Sequence, residues 1–463
     1  MNGHFEYRPE RTPPRRFIIF AFIFGILALV ILARYAALMF NPPSSSAVNP
    51  PRTLWERGAI MDRNGRILAL QTLMGNVTVW KPNIKDSGVV GRELAPILGM
   101  TAREITGRID NSRSDFLYLK KQIEQPALGE IEEALKNSEL AGIVIEYIRG
   151  RIYPEGRTAG QIVGFVGDEQ RGLGGIEYAF EEELAPKDAD GNQVILTIDA
   201  NVQYILEDIG RRVYAEHQAE AVMLMAMDPR NGEILGSVSL PDFDPNEIRD
   251  SNANSRMDRP AIWAYEPGSV FKVYSLAALM DSWGSGEDPV FVCNGHYERI
   301  TARGERIVIN CLASHGRVTA RDIIVYSCNA GASYASDSMD ASIFYKRLRD
   351  FGFGSRTGAG NPGETAGILS GTDRWSERSK PTIAIGQEIS VSALQMLQAA
   401  TAIANDGVLV PPKVVSRIVN RDGKSGRDYE SGPPRRVLSA ASAQAMRSYM
   451  VDVTSVEGTG WRA

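Results

Sequence analysis

The chain is poor in side chains that bind metal ions and has no strong excess of charge of either sign. It holds 3 cysteines and 4 histidines among 463 residues, with a formal net charge of −5. A metal site is not predicted, because metal-ligand spacing is absent around the four histidines, His4, His217, His296 and His315. The chain also lacks a dense Lys/Arg stripe and a glycine-rich phosphate-binding loop, which excludes nucleic-acid and nucleotide binding.

The three cysteines leave two interpretations open. Cys293 and Cys311 could form a disulfide, with Cys328 left over, or all three could be unpaired thiols. Spacing in the sequence does not decide between them, because a disulfide needs specific geometry between the two residues.

Long apolar runs are also rare, with one exception near the N-terminus. Phe17–Ala33 contains no charged side chain, and Tyr35–Phe40 continues the run after Arg34. As a helix, Phe17–Phe40 would be about 36 Å long, which is enough to cross a bilayer. A cleaved signal peptide is the alternative, but its apolar region should be shorter and followed by a small-residue cleavage site. An uncleaved membrane anchor is therefore predicted.

The charges on either side of this run predict its orientation. Asn41–Pro51 carries no positive charge, whereas four arginines precede the run: Arg8, Arg11, Arg15 and Arg16. By the positive-inside rule, the N-terminus is cytoplasmic and the chain beyond Phe40 is extracytoplasmic. We expect a single-pass protein of the bacterial inner membrane.

A chain of this length predicts two or three domains. A Pro- and Ser-rich linker follows the span, then mixed short strands and helices, including a predicted hairpin within Arg57–Leu70 around an Asp-Arg-Asn-Gly turn. Beyond a polar cluster at Asp188–Asn192, strand and helix patterns predict an α/β or α+β catalytic domain. The predicted segments are a tail (1–16), a transmembrane helix (17–40), a linker (41–53), a first domain (54–190) and a second domain (191–463).

Ser269-Val270-Phe271-Lys272 is an S-x-x-K tetrad at the start of an apolar helical segment. Residues three apart on a helix share one face, so the Lys272 amine would reach the Ser269 hydroxyl. A serine is a weak nucleophile until a base removes its proton, and a buried, partly neutral lysine can do so. The alternative is a helix with an N-terminal serine and a surface lysine.

Ser327-Cys328-Asn329 is an S-x-N triplet at the end of a predicted helix, Thr319–Tyr326. A second hydroxyl could relay a proton, and an asparagine amide could hold a substrate amide and orient the lysine. The alternative is a helix-capping cluster, where Ser and Asn are common.

Together these motifs resemble those of the penicillin-recognising serine acyltransferases, S-x-x-K, S-x-N and K-[ST]-G. Tyr265–Lys272 and Ile385–Val410 resemble the nucleophile segment and the acyl-pocket segment of class B penicillin-binding proteins. Arg57–Ala69 and Gly174–Glu177 resemble signatures of that family's N-terminal pedestal domain. Asn329, followed by Ala330-Gly331, resembles the division-type, FtsI-like branch. The fold class that this resemblance implies is a bitopic membrane protein with an α+β pedestal domain and an α/β, β-lactamase-like transpeptidase domain.

The third motif does not fit the resemblance. Lys424-Ser425-Gly426 matches K-[ST]-G as a string, but it lies in a polar turn, Asn420–Asp428, and is interpreted as a chance match. In the family, the motif strand follows a helix and a Gly-Thr-Gly segment, which resemble Ser439–Thr454 and Glu457–Gly460 here. The transpeptidase domain is therefore expected to be C-terminally incomplete, without that strand.

The resemblance implies a peptidoglycan D,D-transpeptidase that binds stem peptides and β-lactams, without metal or organic cofactor. Ser269 would be the nucleophile and Lys272 the base, Ser327 and Asn329 would assist, and the Ser269 backbone N–H would form part of the oxyanion hole. Gly386 and Gln387 would contact substrate. Implied partners are a SEDS-type glycosyltransferase and other division proteins. Alternatives are a D,D-carboxypeptidase, β-lactamase or β-lactam sensor of the same fold, or a non-catalytic divisome scaffold.

Overall fold

The computed structural model describes residues 19, 22–32, 56–283 and 289–462. The chain divides into two units, Met1–Leu54 and Trp55–Ala463. In the first unit, residues 22–32 are helical and exposed. The predicted tail, the linker and the rest of the predicted span lie outside the described residues. Among the residues that are described, no helix has both the length and the apolar character needed to cross a bilayer.

The second unit mixes strands and helices. Its described strands are β1 Ile60–Met61, β2 Ile67–Trp80, β3 Phe116–Ile123, β4 Ile143–Ile152, β5 Gln193–Leu196, β6 Val222–Asp228, β7 Glu233–Leu240, β8 Phe291–Cys293, β9 His296–Ile300, β10 Arg306–Asn310, β11 Gly316–Val318, β12 Val408–Leu409, β13 Val415–Val419, β14 Gly426–Asp428 and β15 Arg435–Arg436. Its described α-helices are Ser87–Leu98, Ala102–Asn111, Ala127–Ala134, Gly160–Val163, Gly175–Ala179, Glu181–Leu184, Ala200–Glu216, Arg259–Ile262, Lys272–Trp283, Ala320–Val325, Asn329–Ser336, Ala341–Asp350, Ser379–Ala384, Ala393–Ala404 and Ala440–Val453.

A seven-stranded sheet has the order β14-β13-β5-β1-β2-β3, and β4 also pairs with β2. The predicted hairpin is confirmed, since Ile60 pairs with Ala69 across β1 and β2. Its turn is held by the Asp62 carboxylate, which accepts from the backbone N–H groups of Asn64 and Arg66 at 2.8 Å each. Strand β5 pairs with both β1 and β13, so the sheet takes strands from both sides of residue 190. The predicted domain boundary remains a prediction.

A buried ion network joins the two segments that resemble the pedestal signatures. Arg57 Nε donates to Glu177 Oε2 at 2.7 Å, and Arg151 Nε donates to Glu177 Oε1 at 2.6 Å. All three side chains are at most 2% exposed. A buried carboxylate is tolerated only when it is paired, so Glu177 needs both arginines. This network links the start of the unit to β4 and to the helix Gly175–Ala179.

The helix Lys272–Trp283, called the nucleophile helix below, lies in the largest apolar cluster of the described residues. Eight of its twelve residues are buried. It packs against Asn329–Ser336, Ala341–Asp350 and Ala440–Val453. A helix that is apolar on nearly all faces has to be covered by others, and the predicted apolar helical segment is confirmed as such a helix.

Two stretches of the second unit contain short helical elements. The glycine-rich residues 160–175 begin with the short helix Gly160–Val163. Residues 127–140 are divided into the helix Ala127–Ala134 and the 3-10 turn Ser138–Leu140.

Candidate active site

Ser269 lies in a 3-10 turn, Gly268–Phe271, called the nucleophile turn below. This turn continues directly into the nucleophile helix. Gly386 packs against this turn, and its carbonyl oxygen accepts a hydrogen bond from Gly268 N at 3.0 Å. Gly386 has φ +81, and a Cβ there would lie 2.0 Å from Gly268 O. Only glycine fits such a close approach in the left-handed region.

Of the two predicted substrate residues, Gly386 therefore lies beside the nucleophile turn and contacts it through its backbone. Gln387 has an exposed side chain, and its backbone N–H donates to Thr382 O at 3.0 Å. Whether either residue contacts substrate stays a prediction.

The Lys272 amine brings the two motifs together. Nζ lies 2.8 Å from Ser269 Oγ, 3.1 Å from Ser327 Oγ and 2.6 Å from Asn329 Oδ1. It also donates to the Ser327 carbonyl at 3.0 Å. Lys272 is 1% exposed, which excludes the alternative of a surface lysine.

Burial lowers the pKa of Lys272 to about 8, and the nearby Cys311 and Cys328 oppose that shift. Removal from water disfavours the charged ammonium, so part of the lysine is neutral near physiological pH. A neutral amine with a serine hydroxyl at 2.8 Å can accept its proton.

The S-x-N triplet follows one helix and ends in the first residue of the next. Ala320–Val325 begins with a capping box formed by Thr319 and Asp322, and Asn329–Ser336 follows. Between them, Ser327 adopts φ +51, the left-handed region that non-glycine residues rarely occupy. Asn329 Nδ2 donates to Asn310 O at 3.0 Å, which directs Oδ1 of the same amide towards Lys272.

A cavity of about 230 Å³ opens beside these groups. It is lined by Ser269, Val270, Lys272, Val273, Ile324, Ser327, Met450, Val453 and Thr459. The motif-based prediction missed Met450 and Val453, although they lie three residues apart and so share one face of the helix Ala440–Val453. Ser439 caps that helix, since its side chain accepts from Ser442 N.

Lys424 and Ser425 are exposed in the hairpin turn between β13 and β14, at one edge of the seven-stranded sheet. Ser425 O accepts from Asn420 N at 2.7 Å, which closes the turn. The cavity beside Ser269 is lined by other segments.

The structure also brings together four side chains that could hold a metal ion. Ligand atoms of Cys293, Cys311, His315 and Cys328 lie within 4.8 Å of one another. All three cysteines are free thiols, so the Cys293–Cys311 disulfide interpretation is not supported. Linear spacing did not reveal the cluster, because its members come from separate strand ends and one helix start.

Comparison with known families identifies the chain. The family model described as the penicillin binding protein transpeptidase domain matches residues 222–463. The chain belongs to the penicillin-binding protein transpeptidase family. A second model, the penicillin-binding protein dimerisation domain, matches residues 53–204. The predicted family and the predicted serine-type transpeptidase are therefore confirmed, as is the two-domain fold.

Relatives of this transpeptidase include stage V sporulation protein D of Bacillus subtilis, which is 27% identical over 98% of this chain and 75% of the relative. The probable peptidoglycan D,D-transpeptidase PenA of Neisseria gonorrhoeae is 26% identical, covering 87% of this chain and 71% of that protein. Among solved structures, the apo form of penicillin-binding protein 3 from Mycobacterium tuberculosis superposes with a TM-score of 0.66. It is 26% identical, and the match covers 88% of this chain and 78% of that one.

Proposed function

We propose that the protein is a peptidoglycan D,D-transpeptidase in which Ser269 forms an acyl-enzyme. The contact of Lys272 Nζ with Ser269 Oγ at 2.8 Å, together with its contacts to Ser327 and Asn329, carries this proposal. Relatives named as D,D-transpeptidases, such as PenA, support the substrate class.

In the proposed reaction, neutral Lys272 takes the proton of Ser269 Oγ, which attacks the carbonyl carbon of the D-Ala-D-Ala bond. The Ser269 backbone N–H supplies part of the oxyanion hole. The bond to the terminal D-Ala breaks, and its nitrogen leaves as an amine after a proton returns through Lys272 and Ser327. The amine of a neighbouring stem peptide then attacks the Ser269 ester, so that the cross-link forms and Ser269 regains its proton.

Asn329 is proposed to hold the substrate amide and to keep Lys272 in place, since its Oδ1 already contacts Nζ. Gly386 and Gln387 are proposed to contact substrate from the segment behind the nucleophile turn. The position of Gly386 against Gly268 supports a location at the edge of the site.

Covalent labelling with a fluorescent penicillin tests the nucleophile. We expect one adduct per chain, mapped to Ser269, which is absent in Ser269→Ala. Ser282→Ala is the matched control, because Ser282 lies on the same helix and its hydroxyl donates to Leu279 O, within its own turn. A folded protein without an adduct, or an adduct elsewhere, would refute the assignment. Transfer of the acyl group only to water, and never to an amine acceptor, would indicate a D,D-carboxypeptidase instead.

We also propose a role in septal wall synthesis, as a single-pass inner-membrane protein with domains at 54–190 and 191–463. Asn329 as the third residue of the triplet and similarity to FtsI of Escherichia coli, 24% identical over 77% of this chain, support this branch. A SEDS-type glycosyltransferase and other division proteins would then be partners. A fluorescent fusion is expected to concentrate at division sites, and an even distribution along the side wall would contradict the proposal.

A further inference from the structure

Asp258 and Glu364 are neighbouring acidic side chains that share no cation. Asp258 directly precedes the helix Arg259–Ile262, and Glu364 is a buried residue of the loop 357–368. Their hydrogen-bond partners are neutral: Asn361 Nδ2 donates to Asp258 Oδ2 at 2.7 Å, and two backbone N–H groups donate to Glu364. Neither carboxyl group forms an ion pair with a described residue. Carboxylates removed from water without a cation are costly, so one of the two has a reason to hold a proton.

The surroundings of Glu364 suit the charged form. Its Oε1 accepts from Thr357 N at 2.5 Å, and its Oε2 accepts from Gly358 N at 3.1 Å. Hydrogen bonds from N–H groups to both oxygens favour a carboxylate over a carboxylic acid. The negative charge is therefore assigned to Glu364, and Asp258 is the member of the pair that can be neutral.

The surroundings of Asp258 suit the protonated form. Removal from water raises the pKa of Asp258 to about 6; hydrogen bonds from Asn361 and Ala261 oppose the rise, and the charge of Glu364 adds to it. The Asn361 Oδ1 atom is buried and has no donor in the described part of the chain. Because Oδ1 belongs to the same amide that donates to Asp258, it is the acceptor beside a protonated Asp258 carboxyl group.

The other charged groups around Asp258 are directed elsewhere. On its own element, the Arg259 guanidinium donates to Asn254. The helix Ala393–Ala404, which packs against this element, has no titratable side chain. The hairpin β6–β7 also packs there, and its two acids are paired with arginines, Asp228 with Arg230 and Glu233 with Arg63. The protonation of Asp258 therefore depends mainly on its own burial and on Glu364.

We propose that Asp258 binds a proton in mildly acidic solution and donates it in a hydrogen bond to Asn361 Oδ1. This bond ties the loop 357–368 to the start of the helix Arg259–Ile262. When the pH rises, Asp258 loses its proton, the bond is lost, and the charges of Asp258 and Glu364 repel each other. Acid therefore stabilises this contact, and neutral pH weakens it.

The same loop is connected by backbone hydrogen bonds to the region behind the nucleophile turn. Thr365 N donates to Ala261 O at 3.0 Å. Farther along, the loop forms a backbone bridge to Ser390, and the next residue, Val391, forms another to Tyr265, just before the nucleophile turn. The proposed proton site thus stabilises a connected region beside the active site, and it is independent of the acylation chemistry proposed above.

The test compares urea unfolding of the purified full-length wild type and of Asp258→Asn from pH 4 to pH 8. The asparagine side chain has the shape of the protonated acid, can donate to Asn361 Oδ1 and does not titrate. The folded pKa of about 6 lies above the ordinary 3.8, so the folded state binds the proton more tightly and the wild type loses stability as the pH rises between these values. The ratio of unfolding constants, wild type over variant, should rise about 50-fold between pH 4 and pH 7 and then level off.

Asp340→Asn is the matched control, because Asp340 is an exposed aspartate that directly precedes a helix, Ala341–Asp350, without a side-chain cap bond. The ratio measured with this variant should show no such rise. A ratio of wild type to Asp258→Asn that stays constant or falls from pH 4 to pH 7 would mean that Asp258 is ionised in the folded chain, and it would overturn the proposal.

A second measurement separates a bound proton from a bound cation. The infrared difference spectrum between wild type and Asp258→Asn at pH 5 should contain the carbonyl band of one protonated carboxyl group, and this band should vanish by pH 8. Na⁺ and Ca²⁺ should stabilise the two proteins equally at pH 5. Absence of the band, or stabilisation of the wild type alone by either ion, would indicate two carboxylates that hold a cation and would refute the proton site.

Discussion

The pH dependence of acylation gives the sharpest prediction for the proposed base. Burial lowers the pKa of Lys272 from 10.5 to about 8, and Cys311 and Cys328 oppose the shift. At pH 7 a lysine with a pKa of about 8 is neutral in about a tenth of the molecules, against about 0.03% at the ordinary value. The folded site therefore holds about 300 times more neutral amine than a solvated lysine would.

Because only the neutral amine accepts the Ser269 proton, the acylation rate should rise with pH. The second-order rate constant for penicillin acylation is expected to increase nearly tenfold between pH 6 and 7 and to level off above about pH 8. Stopped-flow or gel-based labelling across pH 6 to 9 measures this profile. Lys272→Met should lose about 10²–10⁴ of the rate and the inflection as well.

Lys380→Met is the matched control, because Lys380 is a half-buried lysine whose pKa burial also lowers, and it donates to Met339 O at 2.7 Å outside the site. It should keep both the rate and the inflection. A profile for the wild type that is flat from pH 6 to 9, or that still rises about tenfold between pH 8 and 9 as an ordinary lysine would require, would refute the reasoning that burial prepares Lys272 as the base.

The remaining predictions concern the stability of the fold and the contact between Gly386 and the nucleophile turn. Glu177→Ala should lower the free energy of unfolding by about 3–5 kcal/mol, because it leaves Arg151 buried without its carboxylate partner and Arg57 with Glu181 alone; urea unfolding measures the loss, and a loss below about 1 kcal/mol would contradict it. Gly386→Ala should reduce Ser269 acylation, because the new Cβ would lie 2.0 Å from Gly268 O. Gly304→Ala is the control: Gly304 has the same φ of +81 but open space around it, so the substitution introduces backbone strain without a steric clash. Equal labelling of these two glycine variants would show that the close approach does not control the nucleophile turn.

Sequence patterns predicted the elements whose stabilising contacts are local. The turn that joins β1 to β2 follows from Asp62 and Gly65, and the cap of Ala440–Val453 follows from Ser439. The same holds for the pair Ser269 and Lys272, since a separation of three residues on a helical turn decides that they meet. The helix Gly160–Val163 lacks such a local signal, since its N-cap, Ala159, makes no side-chain capping bond.

What the tertiary structure alone decided involves residues far apart in the chain. Ser327 and Asn329 reach Lys272 across 55 and 57 residues, and Arg57 reaches Glu177 across 120. No periodicity in the sequence encodes such separations, because they depend on how helices and strands pack around a shared core. The Cys-His cluster is the clearest case: each member is an ordinary residue at the end of an element, and only the packing of β8–β11 against the S-x-N triplet brings four ligand atoms within 4.8 Å.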